Sequence, residues 1–195
     1  SKHPAERSEI TTPVGEVGIM PMDLGIRAKL SIMMFLQYFT WGAWFVTLGT
    51  YLAAQLQCSG GQISQAYAAS PIGAIIAPFV VGMIADRFFA TQHILAVLHL
   101  AGAALLVGAA TAGSFAAFFP LVLAYFLCYQ PTLALTNSLS FRQMSDPERQ
   151  FPGVRVLGTI GWIVAGLLVG WMRIEDQNTP LLIAAASSGL VRTTT

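Results

Sequence analysis

The chain has 195 residues, 55% of them hydrophobic and 10% charged, with a formal net charge of +1, against roughly 25% charged residues in an average soluble domain. That balance excludes an ordinary soluble domain, and the scattered basic residues exclude a nucleic-acid face with interleaved aromatics. Apolar runs of about twenty residues recur, the length a helix needs to cross a bilayer, so the chain reads as an all-α membrane protein that crosses several times.

Residues 1–24 are polar, with Pro4, Pro13 and Pro21, and read as a disordered tail. A first span is expected over 29–56, with Gln37, Trp41, Trp44, Leu48 and Tyr51 on one face at helical spacing. A second follows over 62–84, carrying Pro71 and Pro78, and prolines in membrane helices often mark kinks. The third, 92–112, is rich in Ala and Gly, which suits close helix packing. The fourth covers 115–141, and a polar loop runs from Arg142 to Gln150. The fifth covers 154–172, where Gly166 and Gly170 form a small-xxx-small pair expected at a helix contact. A partial sixth segment, 179–191, is too short to span, so the chain reads as cut, or shifted in reading frame, within a sixth helix.

Lysine and arginine in short loops set orientation. Seven of them fall in the tail and in the loops after the second and fourth spans, while the loop after the fifth span holds only Arg173. The N-terminus is therefore expected on the cytoplasmic side. Cys58 and Cys128 have no partner at metal-ligand spacing and read as two unpaired small residues. No catalytic triad, phosphate-cradling loop or metal cluster stands in the sequence, so no enzyme activity and no cofactor is expected.

The segment from Phe151 to Trp162 is the least ordinary. It opens an apolar helix, yet holds an arginine, a threonine, three glycines and a tryptophan. Arg155, Thr159 and Trp162 share one face (i, i+4, i+7), offering a forked donor, a hydroxyl and an aromatic plate. Spacing leaves two readings open: a ligand-facing surface, or an arginine that anchors the helix end at the headgroups beside a packed tryptophan.

The loop Gly82-Met83-Ile84-Ala85-Asp86-Arg87-Phe88 resembles the signature between helices 2 and 3 of the major facilitator superfamily, roughly G-x-x-A-D-R-x-G-R, with Phe89 and Ala90 in place of the later Gly and Arg. Three further stretches are similar to the nucleoside:proton symporters of that superfamily: Phe151-Pro152 with Arg155 and Gly158-Thr159-Ile160-Gly161, Phe35 to Tyr51, and Pro131 to Asn137. The resemblance covers roughly residues 24–185. It implies the N-terminal six-helix half of a major facilitator fold, with the sixth helix incomplete, in the cytoplasmic (inner) membrane.

It also implies alternating access to a site between two halves, with a nucleoside and protons as substrates, membrane lipid around it and a missing C-terminal six-helix half as partner. By matching position, Arg155, Thr159, Trp162, Gln37, Trp41 and Asn137 are the expected substrate-binding residues, although Gln37 and Asn137 read equally well as helix–helix hydrogen-bonding groups, and Trp41 and Trp44 as packing. Gly82, Asp86 and Arg87 are the expected conformational clamp. None of the nine acidic residues lies inside an expected span. His93 and His99 are the only side chains there that titrate near neutral pH, and His99 reads as a packing partner by its hydrogen bonds. The coupling carboxylate is therefore expected in the missing half. The alternatives are a non-transporting membrane fragment, a facilitator for another solute such as a sugar, and a small transporter that dimerises.

Overall fold

The computed structural model describes residues 22–85 and 91–191, without the side chains at 80 and 83–85. The expected tail up to residue 21 and the Asp86–Arg87 part of the clamp lie outside those residues. Among the described residues all regular structure is helical, in seven segments: α1 (Leu24–Phe45), α2 (Leu48–Gln55), α3 (Gly60–Ala85), α4 (Thr91–Ala110), α5 (Phe115–Arg142), α6 (Pro147–Met172) and α7 (Thr179–Val191). Helices α4, α5 and α6 are each long and apolar enough to cross a membrane.

Local chemistry sets the ends of these helices. Asp23 accepts hydrogen bonds from the backbone N–H groups of Gly25 (2.8 Å) and Ile26 (3.1 Å), so α1 begins five residues before the expected start at 29. Ser59 and Gln62 form a reciprocal capping box at the head of α3. Asp146 caps α6, with Pro147 at the first helical position and Glu148 in the first turn. The stretch expected as loop up to residue 150 is thus partly helix, because its charged and cap residues build a polar first turn rather than end one. Arg155 consequently lies eight residues into α6, about 12 Å along it at 1.5 Å per residue, and not at the helix mouth.

The first expected span is broken in two. Thr47 turns its hydroxyl back to the Trp44 carbonyl at 3.4 Å, and the Gly49 N–H, which opens the next segment, donates to the Tyr67 hydroxyl of α3 at 3.1 Å. A threonine competing for the backbone loosens the helix, and a neighbouring helix satisfies the freed donor.

Helix α1 packs against α6 and α7, α5 packs against α3 and α4, and α4 meets α7, closing the bundle. One apolar core is built around Trp44, Leu52, Phe118, Tyr125, Phe126 and Tyr129, and a second around Leu30, Met33, Met34, Leu95, Leu139 and Val154. The closest helix approach uses glycine, though not the expected pair. A Cβ on Gly161 would strike the Phe35 carbonyl of α1, one on Gly158 would strike the Tyr38 ring, and one on Gly42 would come within 2.9 Å of the Trp162 carbonyl oxygen. Gly166 has no described atom within 4 Å of such a Cβ, and Gly170 meets only the Glu175 carboxylate at 3.8 Å. Both lie off the buried stripe Val154, Gly158, Gly161, Ala165 and Val169 that faces α1. Because the Phe35 backbone cannot yield as a side chain would, Gly161→Ala is expected to cost about 1–3 kcal/mol, seen as a clear drop in melting temperature in detergent, while Gly166→Ala leaves it unchanged.

Candidate functional site

The glycines of α6 do more than seat the helix. They bring its neighbouring face, the one that carries Arg155, Thr159 and Trp162, down onto α1. The Arg155 guanidinium carbon sits 4.2 Å from the centre of the Tyr38 ring, a cation–π contact. Two turns along, the Trp162 indole meets Trp41 edge to face, with centroids 5.0 Å apart and planes at 87°. Phe45 lies 5.5 Å from Trp41 and 6.3 Å from Trp162, and Tyr129 of α5 lies 5.9 Å from Trp41. Four aromatic rings from three helices thus close one end of the face, and Arg155 stands at the other.

The polar groups of this face are under-used. Among the described residues the one ion pair joins Arg149 to Asp146 at 3.7 Å, so Arg155 has an aromatic ring beneath it and no carboxylate beside it. Four buried side-chain atoms have no hydrogen-bond partner among the described residues: Trp41 Nε1 at this face, Asn137 Oδ1 on α5, and Trp44 Nε1 and Tyr125 Oη in the core. Buried donors and acceptors are normally satisfied, and an exception calls for an explanation such as a ligand or water. Thr159 is exposed on the same face of α6.

The expected site residues therefore separate. Arg155, Trp162 and Trp41 come together across the α1–α6 contact, with Thr159 on the same side. Asn137 lies on α5, half-buried, two turns beyond Tyr129. Gln37 is fully buried, and its side chain is engaged by His99 at 2.9 Å and Thr132 at 2.7 Å. Trp44, Leu48 and Tyr51, expected on the same face as Trp41, are core residues. Of the expected clamp, Gly82 is exposed, with no described atom near a Cβ built there. Three participants had no role assigned from the sequence: Tyr38, Phe45 and Tyr129. Tyr38 stands three residues before Trp41, on the same helical face, and that spacing is the signal that marks it.

The comparisons with known proteins agree on one family. The family described as Nucleoside H+ symporter matches residues 24–195. The chain is 52% identical over 171 residues to the putative nucleoside transporter YegT of Escherichia coli (strain K12), covering 84% of this chain and 40% of that protein. It is 36% identical to the xanthosine permease of the same organism, covering 86% of this chain and 41% of the relative. The crystal structure of the nucleoside transporter NupG superposes with a TM-score of 0.83 at 33% identity, over 87% of this chain and 43% of that one. The chain thus spans about two-fifths of the length of the curated relatives it matches. These relatives are named as transporters and permeases, not as enzymes.

The Arg155–Tyr38 contact is testable by itself. In a double-mutant cycle with Tyr38→Leu and Arg155→Gln, unfolding free energies should show a coupling of about 0.5–2 kcal/mol, the range of a cation–π pair, and a coupling near zero would remove the contact.

Proposed function

The chain belongs to the nucleoside H+ symporter family, and from that premise we propose that it forms the N-terminal half of a transporter that carries a nucleoside across the membrane with protons by alternating access. Among the described residues the fold is all-helical and that of a major facilitator half, and the family together with three apolar helices of membrane-crossing length makes the protein an integral membrane protein. The observation that carries the reading is the under-used face of α1 and α6. A nucleoside presents a flat base and a hydroxyl-rich ribose. The Trp41–Trp162 pair offers aromatic surface to the base, and Arg155 and Thr159 offer donors to its polar edge. Trp41 Nε1 and the Asn137 carbonyl supply one unpaired donor and one unpaired acceptor. Gln37 serves from behind the face.

The second half of the proposed protein closes the other side of the cavity. The exposed apolar residues Ile160, Ile163 and Leu167 of α6 and Ile75 and Phe79 of α3 suit contact with that half or with lipid. Loop charges support a cytoplasmic N-terminus, and the family resemblance supports the inner membrane. Proton coupling rests on a carboxylate outside this chain. Gly82, Asp86 and Arg87 are the proposed clamp on the cytoplasmic side, in the stretch of sequence between α3 and α4. A sugar as substrate has weaker support: the chain is 28% identical over 141 residues to the maltose permease of Geobacillus stearothermophilus.

The reading is tested with the complete protein in a transport-deficient host. Radiolabelled uridine or adenosine should accumulate and a proton uncoupler should abolish that accumulation, whereas uptake of a sugar and of no nucleoside would overturn the assignment. Arg155→Ala should reduce uptake by at least tenfold at unchanged membrane level, since removing a charged hydrogen bond costs about 1.5–3 kcal/mol. Wild-type uptake by that variant would return Arg155 to an anchoring role.

A further inference from the structure

Behind the proposed site lies a polar network that joins four helices. His99 of α4 is 1% exposed. Its Nε2 lies 2.9 Å from Gln37 Oε1 of α1, and its Nδ1 lies 2.9 Å from Ser188 Oγ of α7. Gln37 Nε2 donates to Thr132 Oγ1 of α5 at 2.7 Å, and the Thr132 hydroxyl in turn donates to the Tyr129 carbonyl at 2.5 Å. The directions follow. Thr132 has one proton and gives it to the backbone, so its oxygen accepts from the Gln37 amide. The Gln37 carbonyl oxygen then needs a donor, which is the Nε2–H of His99, while the Ser188 hydroxyl lies against both Nδ1 at 2.9 Å and the His99 backbone carbonyl at 3.0 Å. The described groups facing the ring from the packed helices are Gln37, Tyr129 and Ser188, none of them a carboxylate.

Gln37 leads directly to the site. Its backbone carbonyl accepts the Tyr129 hydroxyl at 2.5 Å and, four residues before Trp41 in α1, it is also the helical acceptor of the Trp41 N–H. Tyr38, the next residue, carries the Arg155 contact. We propose that His99 is a positioning residue: by fixing Gln37 from behind, it sets the rotation and height of α1 at which Trp41 meets Trp162 and Tyr38 meets Arg155. The inference rests on reading that face as the substrate site, since a network of purely architectural use would not need to be in register with it.

The test uses the complete protein and two readouts: the near-ultraviolet circular dichroism that Trp162→Leu removes, which reports the indole pair without any ligand, and the uridine dissociation constant. His99→Leu leaves the Gln37 oxygen without a donor. It should abolish that dichroism and weaken uridine binding on the order of tenfold, with membrane level close to wild type and a lowered melting temperature, because the buried Gln37 oxygen is left unsatisfied. His99→Gln, which can still donate to Gln37, should restore both readouts to within about threefold of wild type. Thr132→Val releases the other end of Gln37 without touching His99 and should reproduce the loss, so it decides the matter if His99→Leu does not accumulate. Wild-type dichroism in His99→Leu, or in Thr132→Val in that case, overturns the proposal. So does an equal loss in His99→Gln accompanied by a falling melting temperature, the mark of a merely architectural role. If the wild-type protein binds no uridine, the substrate reading fails separately, and the dichroism alone decides the role of His99.

Discussion

The distance between α1 and α6 governs the rest of the structure. In lipid there is little hydrophobic gain from pressing one apolar helix onto another, so helices associate through close packing and hydrogen bonds. Gly158 and Gly161 let α6 approach until its missing side chains are replaced by the Tyr38 ring and the Phe35 carbonyl, and Gly42 returns the favour toward Trp162. At that separation a guanidinium on α6 reaches a ring on α1, and two indoles meet edge to face. A wider gap would leave each helix with its own polar residues and no shared surface. The proposed substrate face is thus a by-product of backbone contact.

Much of the helical plan was legible in the sequence, because long apolar runs broken by polar loops translate directly into crossings. The head of α6 was not. Arg142 to Gln150 carries the composition of a loop, and only the order Asp146-Pro147-Glu148 marks it as a helix start. The choice of glycine pair was also hidden. Gly166–Gly170 and Gly158–Gly161 are both compatible with a helix contact, and which pair faces a neighbour depends on how α6 is rotated in the bundle. The break after Phe45 needed Tyr67, a residue on another helix.

The geometry of the candidate site was half legible. Arg155, Thr159 and Trp162 follow from helical periodicity within one segment, and Trp41 from its place on α1. The division between Trp41 and Trp44 does not: the two share a helix face by spacing, yet Trp41 is half-buried at the contact with α6 and Trp44 lies in the core. The network around Gln37 joins residues 62 to 95 positions apart, and nothing local foretells such pairings. The sequence does show that polar residues stand in apolar runs, which is the reason to look for their partners.

The arrangement has a consequence for assembly. A ribosome delivers the chain from its N-terminus at roughly 5–20 residues per second. Gln37 and Thr40 of α1 are made early, but their partners are Thr132 on α5, His99 on α4 and Ser187 on α7, and the helix they must lie against is α6. On the order of 5–20 seconds of synthesis therefore separates α1 from its principal neighbour. During that interval α3, α4 and α5 can pair with one another, while the first helix waits with an amide and a hydroxyl unmatched. Helix α1, made before all of these partners, is among the last to be secured.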